Sequence, residues 1–372
     1  MTPFTFPVRS VLLTLAVLCV SSGPASAQSP NPGPAPSGFF RDIRFSAIGD
    51  AYLVANANRP TGGENLLRNF DTESGSPRLN YIEAVIERAA TADHRVGFRA
   101  DLGAGPAATL VGEPEPGPGG LRFVQQAYVS ALVPIGSGLT TDAGKFVTPA
   151  GAEVIETRDN WNYSRSLLFA WAIPYYHAGV RASYAVGHGV TATAFVLNGW
   201  NNVRDNNSSK TLAAQVIAGS GSRVSVAATW LGGAEHTDLE GRRHTFDAVV
   251  TARLTPALTL QVNGDLVRDA ALGEGTGWQG ISAALRARVT PEWTVSPRVE
   301  VFSDPQGASP GRPQDVWEAT LTVERALAEG LVMRGEYRID RSSAAVFPAS
   351  GGRTQAGQQT VGVGFMYGWS SR

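Results

Sequence analysis

The charged residues that stand close enough to act together lie in one stretch, Gly144 to Trp200. Lys145, one of two lysines in the chain, is followed by Glu153, Glu156, Arg158, Asp159 and Arg165, with Val154, Ile155 and Trp161 set among them. Acids and bases mixed at this spacing can sort charged solutes by their field, but they make no nucleophile, phosphate loop or metal cage. Other candidates for chemistry are weaker. His94, His177, His188, His236 and His244 lack the paired spacing of a metal site. Gly219-Ser220-Gly221-Ser222 is no G-x-S-x-G elbow and falls at a turn signal. The polar run 201–210 carries oxygens that calcium could use, without the spacing of an EF-hand loop. No catalytic, cofactor or metal site is expected.

The elements that hold this stretch follow from the rest of the chain. Arg9, the apolar run Val11–Val20 and Ala25-Ser26-Ala27 read as a secretory signal peptide, residues 1–27, cleaved near Ala27. The apolar run is about half of the ~20 residues a spanning helix needs. Cys19, the sole cysteine, falls within it, so the mature chain has no disulfide framework. Residues 28–38 are a flexible Pro/Gly/Ser-rich leader. Net charge is −1, which argues against a nucleic-acid partner.

From residue 39 onward the dominant signal is period two. Val96, Phe98, Ala100 and Leu102 alternate with Gly97, Arg99, Asp101 and Gly103. The same pattern runs through 244–254, 258–266, 281–289, 331–340 and 358–369. Successive strand side chains point to opposite faces, so each segment has an apolar wall and a polar wall. The segments are longer than ordinary soluble strands and match the ~9–11 residues of a tilted strand crossing a bilayer. Tight turns alternate with long polar connections at about 56–78, 104–120, 147–176, 200–210, 233–243, 268–277, 303–314 and 341–356. That is the pattern of a transmembrane antiparallel β-barrel.

A naive strand count gives 17, because Ser164–Ile173 could itself be a strand. Single-chain bacterial barrels have even strand numbers, and treating 147–176 as one long loop gives about 16 strands, with 14 and 18 as alternatives. Segment 164–173 then continues a neighbouring strand or packs inside. Residues 39–372 form one all-β barrel domain, and 147–176 either folds into the lumen or lies over the mouth. A secreted sandwich is the competing fold. On the polar faces Arg99, Asp101, Arg181, Arg223, Arg253, Asp265, Arg286, Arg298, Glu300, Arg334, Glu336 and Arg338 are the candidate lumen wall, where they would set the field along a pore. Tyr52, Phe123, Trp171, Trp200, Trp230, Trp278, Trp293, Trp317 and Trp369 are expected in interfacial girdles.

Within the charged stretch, Gly144–Phe146, Thr148–Glu156, Asn160–Ser166, Ala172–Tyr184 and Asn198–Asn207 resemble the OmpL-like family of outer-membrane β-barrel porins. Ala178 stands where members often carry Thr. The resemblance implies a Gram-negative outer-membrane protein and porin-like transport, without fixing a solute. The expected function is a water-filled channel for passive diffusion of small hydrophilic solutes, with mixed or weak charge selectivity. Its expected partners are outer-membrane lipid and lipopolysaccharide, those solutes, and copies of itself in a homotrimer. A non-conducting barrel that binds or adheres through its long loops is the alternative, and a barrel hydrolase with a Ser/His pair across strands is a third.

Overall fold

The computed structural model describes residues 42–115 and 122–371; the expected signal peptide and leader lie outside them. The strands are β1 (Arg44–Asn56), β2 (Arg78–Arg88), β3 (Val96–Ala104), β4 (Val124–Val133), β5 (Leu139–Val147), β6 (Tyr176–Gly187), β7 (Val190–Leu197) and β8 (Thr211–Ala218). They continue as β9 (Val224–Gly233), β10 (Arg243–Thr255), β11 (Leu258–Asp269), β12 (Gly277–Arg288), β13 (Trp293–Asp304), β14 (Gln314–Ala328) and β15 (Leu331–Ser342). A short ribbon, β16 (Phe347–Pro348) with β17 (Thr354–Gln355), decorates the last long loop, and β18 (Gly357–Ser370) ends the wall.

Sixteen strands, β1–β15 and β18, form a closed barrel in which each pairs with its sequence neighbour. Closure is made by β1 against β18, with Ser46 opposite Ser370 and Asn56 opposite Thr360. Hydrocarbon offers no partners to backbone N–H and C=O groups, so a sheet in a bilayer must have no free edge. Segment 164–173 is not a strand: Leu168–Ala172 makes a buried helical turn.

Side-chain parity is kept along each strand. On β14 Gln314, Val316, Glu318, Thr320 and Thr322 are buried inside, while Asp315, Trp317 and Leu321 are exposed outside. The outer wall shows Val96, Leu102, Val180, Ile281, Val299 and Phe365 to the surroundings. An apolar belt of this extent on a soluble protein would be a liability; in a bilayer it is the buried face.

The packed core sits inside the barrel toward the long-loop end. Loop residues Leu67, Phe70, Ile155, Leu167, Leu168 and Phe347 meet inward wall residues such as Phe146, Phe195, Leu231, Trp278 and Phe302. A short helix, α1 (Pro106–Val111), adds Ala107, Ala108 and Val111. Some expected girdle aromatics therefore belong to the interior. Tyr52 and Trp278 occupy inward positions of β1 and β12 and are buried. Trp278 donates to the Ala172 carbonyl at 3.3 Å, and Trp200 packs edge-on against it. Trp171 lies in the excursion between β5 and β6 and donates to Leu67. A strand-end aromatic reaches the headgroup zone only if its parity is outward, as for Trp293, Trp317 and Trp369.

Candidate functional site

Inward alternation brings three arginines and four acids together on adjacent strands: Arg298 and Glu300 on β13, Glu318 on β14, and Arg334, Glu336, Arg338 and Asp340 on β15. Six of the seven are at most 4% exposed, and Glu336 is partly buried. So many buried charges need partners, and the excursion 148–175 supplies them. Arg334 donates to the carbonyls of Thr157, Arg158, Asn160 and Asn162, and to Glu324 at 2.8 Å. Arg298 bridges Glu318 at 2.8 Å and Glu153 at 2.6 Å and also donates to the Ser164 carbonyl. Arg338 holds Asp340 and the Arg165 carbonyl. In the other direction the amides of Tyr163 and Ser164 donate to Glu336, and those of Leu167 and Leu168 to Glu300.

The excursion thus runs down inside the barrel and back up. Its deepest residues bond Arg334, the fourth residue of β15 counted from the short-turn end. There it crosses toward β1, where Thr157 Oγ1 and the Tyr163 hydroxyl donate to Asp50 at 2.6 and 2.9 Å. Arg165 does not face the lumen. It is 2% exposed and donates to the carbonyls of Val154, Ile155 and Tyr163, holding the two limbs of the excursion together.

Two inward glycines of β18 let the excursion lie flat on the wall. A Cβ at Gly364 would collide with the Tyr163 ring, and one at Gly368 with the Arg158 guanidinium. Arg158 is therefore turned toward the β18 wall rather than toward open space.

The space left beside the excursion is a cavity of about 420 Å³ on the β1–β6 side. Its charged lining is Arg99 and Arg181 with Glu83, Glu156 and Asp159, set among residues such as Ile48, Val85 and Val147. Arg99 is bonded to Asp101 at 2.8 Å and lies 3.3 Å from Glu87. Arg181 is bonded to Asp142 at 2.7 Å and lies over the rings of Tyr128 and Phe146. Glu156 is held above the ordinary carboxylate range, first by burial and then by the nearby negative charge of Asp159 and Asp101. A second, smaller cavity of about 100 Å³ lies across the excursion, lined by Asp159, Trp161, Asn162, Gln261, Asn263 and Ser282 among others.

Other expected site residues lie elsewhere. Lys145 is on β5, 3.7 Å from Glu115 and over the Tyr176 ring, facing the loop after β3. Arg223 and Arg253 are exposed at the short-turn rim, where Arg223 donates to the Arg253 and Leu254 carbonyls. Both have inward parity but stand at a hairpin end, beyond the enclosed part of the wall. Arg286 is half exposed and 3.5 Å from Glu324. Asp265 is buried opposite Asp247. Asp50, Glu83, Asp142, Glu318 and Glu324 were not singled out from sequence; the outward series Trp317, Ala319, Leu321, Val323 is the signal that would have placed Glu318 and Glu324 inside. Among the described residues no three His, Cys, Asp or Glu side chains gather as a metal centre.

The family described as "Putative beta-barrel porin-2, OmpL-like" matches residues 42–368. The chain belongs to this porin family. Solved structures share its fold at low identity. OmpT of Vibrio cholerae has 13% identity and a TM-score of 0.56, over 88% of this chain and 97% of that one. The outer-membrane channel DcaP of Acinetobacter baumannii has 11% identity and a TM-score of 0.57, over 88% and 96%. An anion-selective porin from Comamonas acidovorans has 12% identity and a TM-score of 0.55, over 88% and 99%. No curated protein sequence matches the chain. The molecule is an outer-membrane porin of 16 strands.

Proposed function

We propose that this porin passes small hydrophilic solutes passively through the cavity beside the excursion, and that residues 147–176 form its constriction. The supporting observation is the excursion bonded to Arg298, Arg334 and Arg338, beside which a cavity of about 420 Å³ carries charged groups on its lining. Glu156 and Asp159 on the excursion, with Arg99 and Arg181 on the wall, set the field that a solute crosses. Selection is by width and charge, with no bond made or broken. Acids outnumber free bases here, because Arg99 and Arg181 are already paired with wall carboxylates. The passage accordingly favours cations. Export uses the signal peptide 1–27, and the outer wall meets lipid and lipopolysaccharide. A homotrimer is the proposed assembly, supported by the trimer form in which Vibrio cholerae OmpT has been solved.

Single-channel recording of the purified protein in planar bilayers tests this reading. Stepwise openings in groups of three are expected, with a reversal potential of cation-selective sign in a salt gradient. A protein that inserts but never conducts would leave the binding or adhesion alternative standing.

A further inference from the structure

Asp247 on β10 and Asp265 on β11 are direct cross-strand partners, and both point inward. Each is 4% exposed. Directly opposed residues on antiparallel strands hold their Cβ atoms about 4.5–5.5 Å apart, so the two carboxylates face one another at close range. Their principal neighbours include no cation: Asp247 has Gly151, Asn263, Asp265 and Thr229 around it, and Asp265 has Asp247 and Glu300. The other buried acids named above have an arginine, backbone amides or, as at Asp50, two hydroxyl donors. This pair has neither in full.

One oxygen of each carboxylate is also unused. Asp247 Oδ1 and Asp265 Oδ1 are buried without a hydrogen-bond partner. So is the hydroxyl of Thr245, 1% exposed, two residues before Asp247 on the same face. Three of the few orphaned buried oxygens of the described chain thus lie on one patch of two neighbouring strands. Asn263 fixes the orientation: its Nδ2 donates to Asp247 Oδ2 at 2.8 Å and lies 3.5 Å from Asp265 Oδ2, leaving the Oδ1 atoms free. Its Oδ1 accepts from the Ala152 amide at 3.1 Å, and both Ala152 and Asn263 line the smaller cavity, so the patch lies one side chain behind that cavity's wall.

We propose that Asp247, Asp265 and the Thr245 hydroxyl form a binding site for one divalent cation of the calcium or magnesium kind. Such ions take oxygen donors at about 2.3–2.6 Å for Ca²⁺ and 2.0–2.1 Å for Mg²⁺, and keep water in the remaining positions. Asn263 is the outer partner that orients a ligating carboxylate. The ion neutralises two charges that the wall otherwise leaves unbalanced. It also fastens the first limb of the excursion, because Asn263 carries Ala152 and Gly151 abuts Asp247. The site does not depend on whether the pore conducts.

The test uses the full protein folded in detergent, stripped with EDTA and free of lipopolysaccharide. Its thermal transition is followed on adding CaCl₂, with KCl at matched ionic strength as the control. A rise with CaCl₂ alone is expected in the native chain. That rise should be lost in Asp247→Asn and Asp265→Asn, both near-isosteric and able to fold. No calcium-specific rise in the native chain overturns the proposal in favour of a proton shared by the pair. An equal rise in the Asp247→Asn/Asp265→Asn double variant overturns it too, since the ion then acts elsewhere. Neither result bears on conductance, which is recorded separately.

Discussion

Glu156 shows how position decides what a carboxylate can do. It stands at the inner turn of the excursion, against Asp159 and across the cavity from Arg99. Burial raises its pKa, so the folded protein takes up this proton at a higher pH than an ordinary glutamate would. The folded state then binds more protons than the unfolded chain, and this group's contribution to stability grows as pH falls through that range. For permeation the sign is equally definite. As pH drops from neutral toward the usual carboxylate range, Glu156 is neutralised early and cation preference weakens. A unit charge ~8 Å from an ion in water is worth about 0.5 kcal/mol, a factor of about two in relative permeability. Glu156→Gln should show that reduced selectivity at neutral pH and should flatten its dependence on pH, read from reversal potentials. An unchanged pH profile would remove Glu156 from the passage.

The excursion between β5 and β6 is held by the wall rather than by its own secondary structure. It contains only a turn at Thr157–Asp159 and another at Leu168–Ala172. Its backbone groups are instead satisfied by the buried Arg298, Arg334, Arg338 and Glu300 and by the partly buried Glu336. Removing one member of such a buried set typically costs ~3–5 kcal/mol, because the remaining charges lose their partners. The glycines of β18 are the steric half of the same fit. Gly364→Leu should push Tyr163 off the wall at a cost of about 1–3 kcal/mol, the usual range for overpacking. The displaced excursion should give larger or noisier single-channel steps, while far-ultraviolet circular dichroism stays that of a barrel. Steps of native size and noise would mean that Tyr163 and its neighbours do not shape the passage.

Closure is a property of the whole chain, since β1 pairs with β18 across more than three hundred residues. Sixteen strands give a lumen wide enough for water, and the loops then subtract from it. The apolar cluster of Leu67, Phe70, Leu168, Phe347 and Trp278 fills part of the mouth, which is why the free passage lies off to the β1–β6 side. A closed barrel with no edge resists detergent. The unboiled protein should therefore migrate faster than the boiled one in SDS gels, and identical migration would count against a closed wall.

Period-two alternation, with the even strand number of such barrels, was enough to read the barrel, about 16 strands and the side that many wall residues face, because pleat geometry is local and repeats every two residues. The parity of strands also required 147–176 to be a single long excursion. What lay beyond reach was the pairing between that excursion and strands far away in sequence. Arg298, Arg334 and Arg338 read as lumen charges, yet their guanidinium groups are spent on loop carbonyls. Arg165 read as a constriction residue but stitches the loop to itself. Tyr52 and Trp278 read as girdle aromatics but lie inside. Each outcome depends on which groups meet across the lumen, and only the closed tertiary structure brings them together. The stretch Gly144–Trp200 was conspicuous from its charges alone; that Glu156 and Asp159 line the cavity, while Lys145 and Arg165 do not, was decided by the wall it folds against.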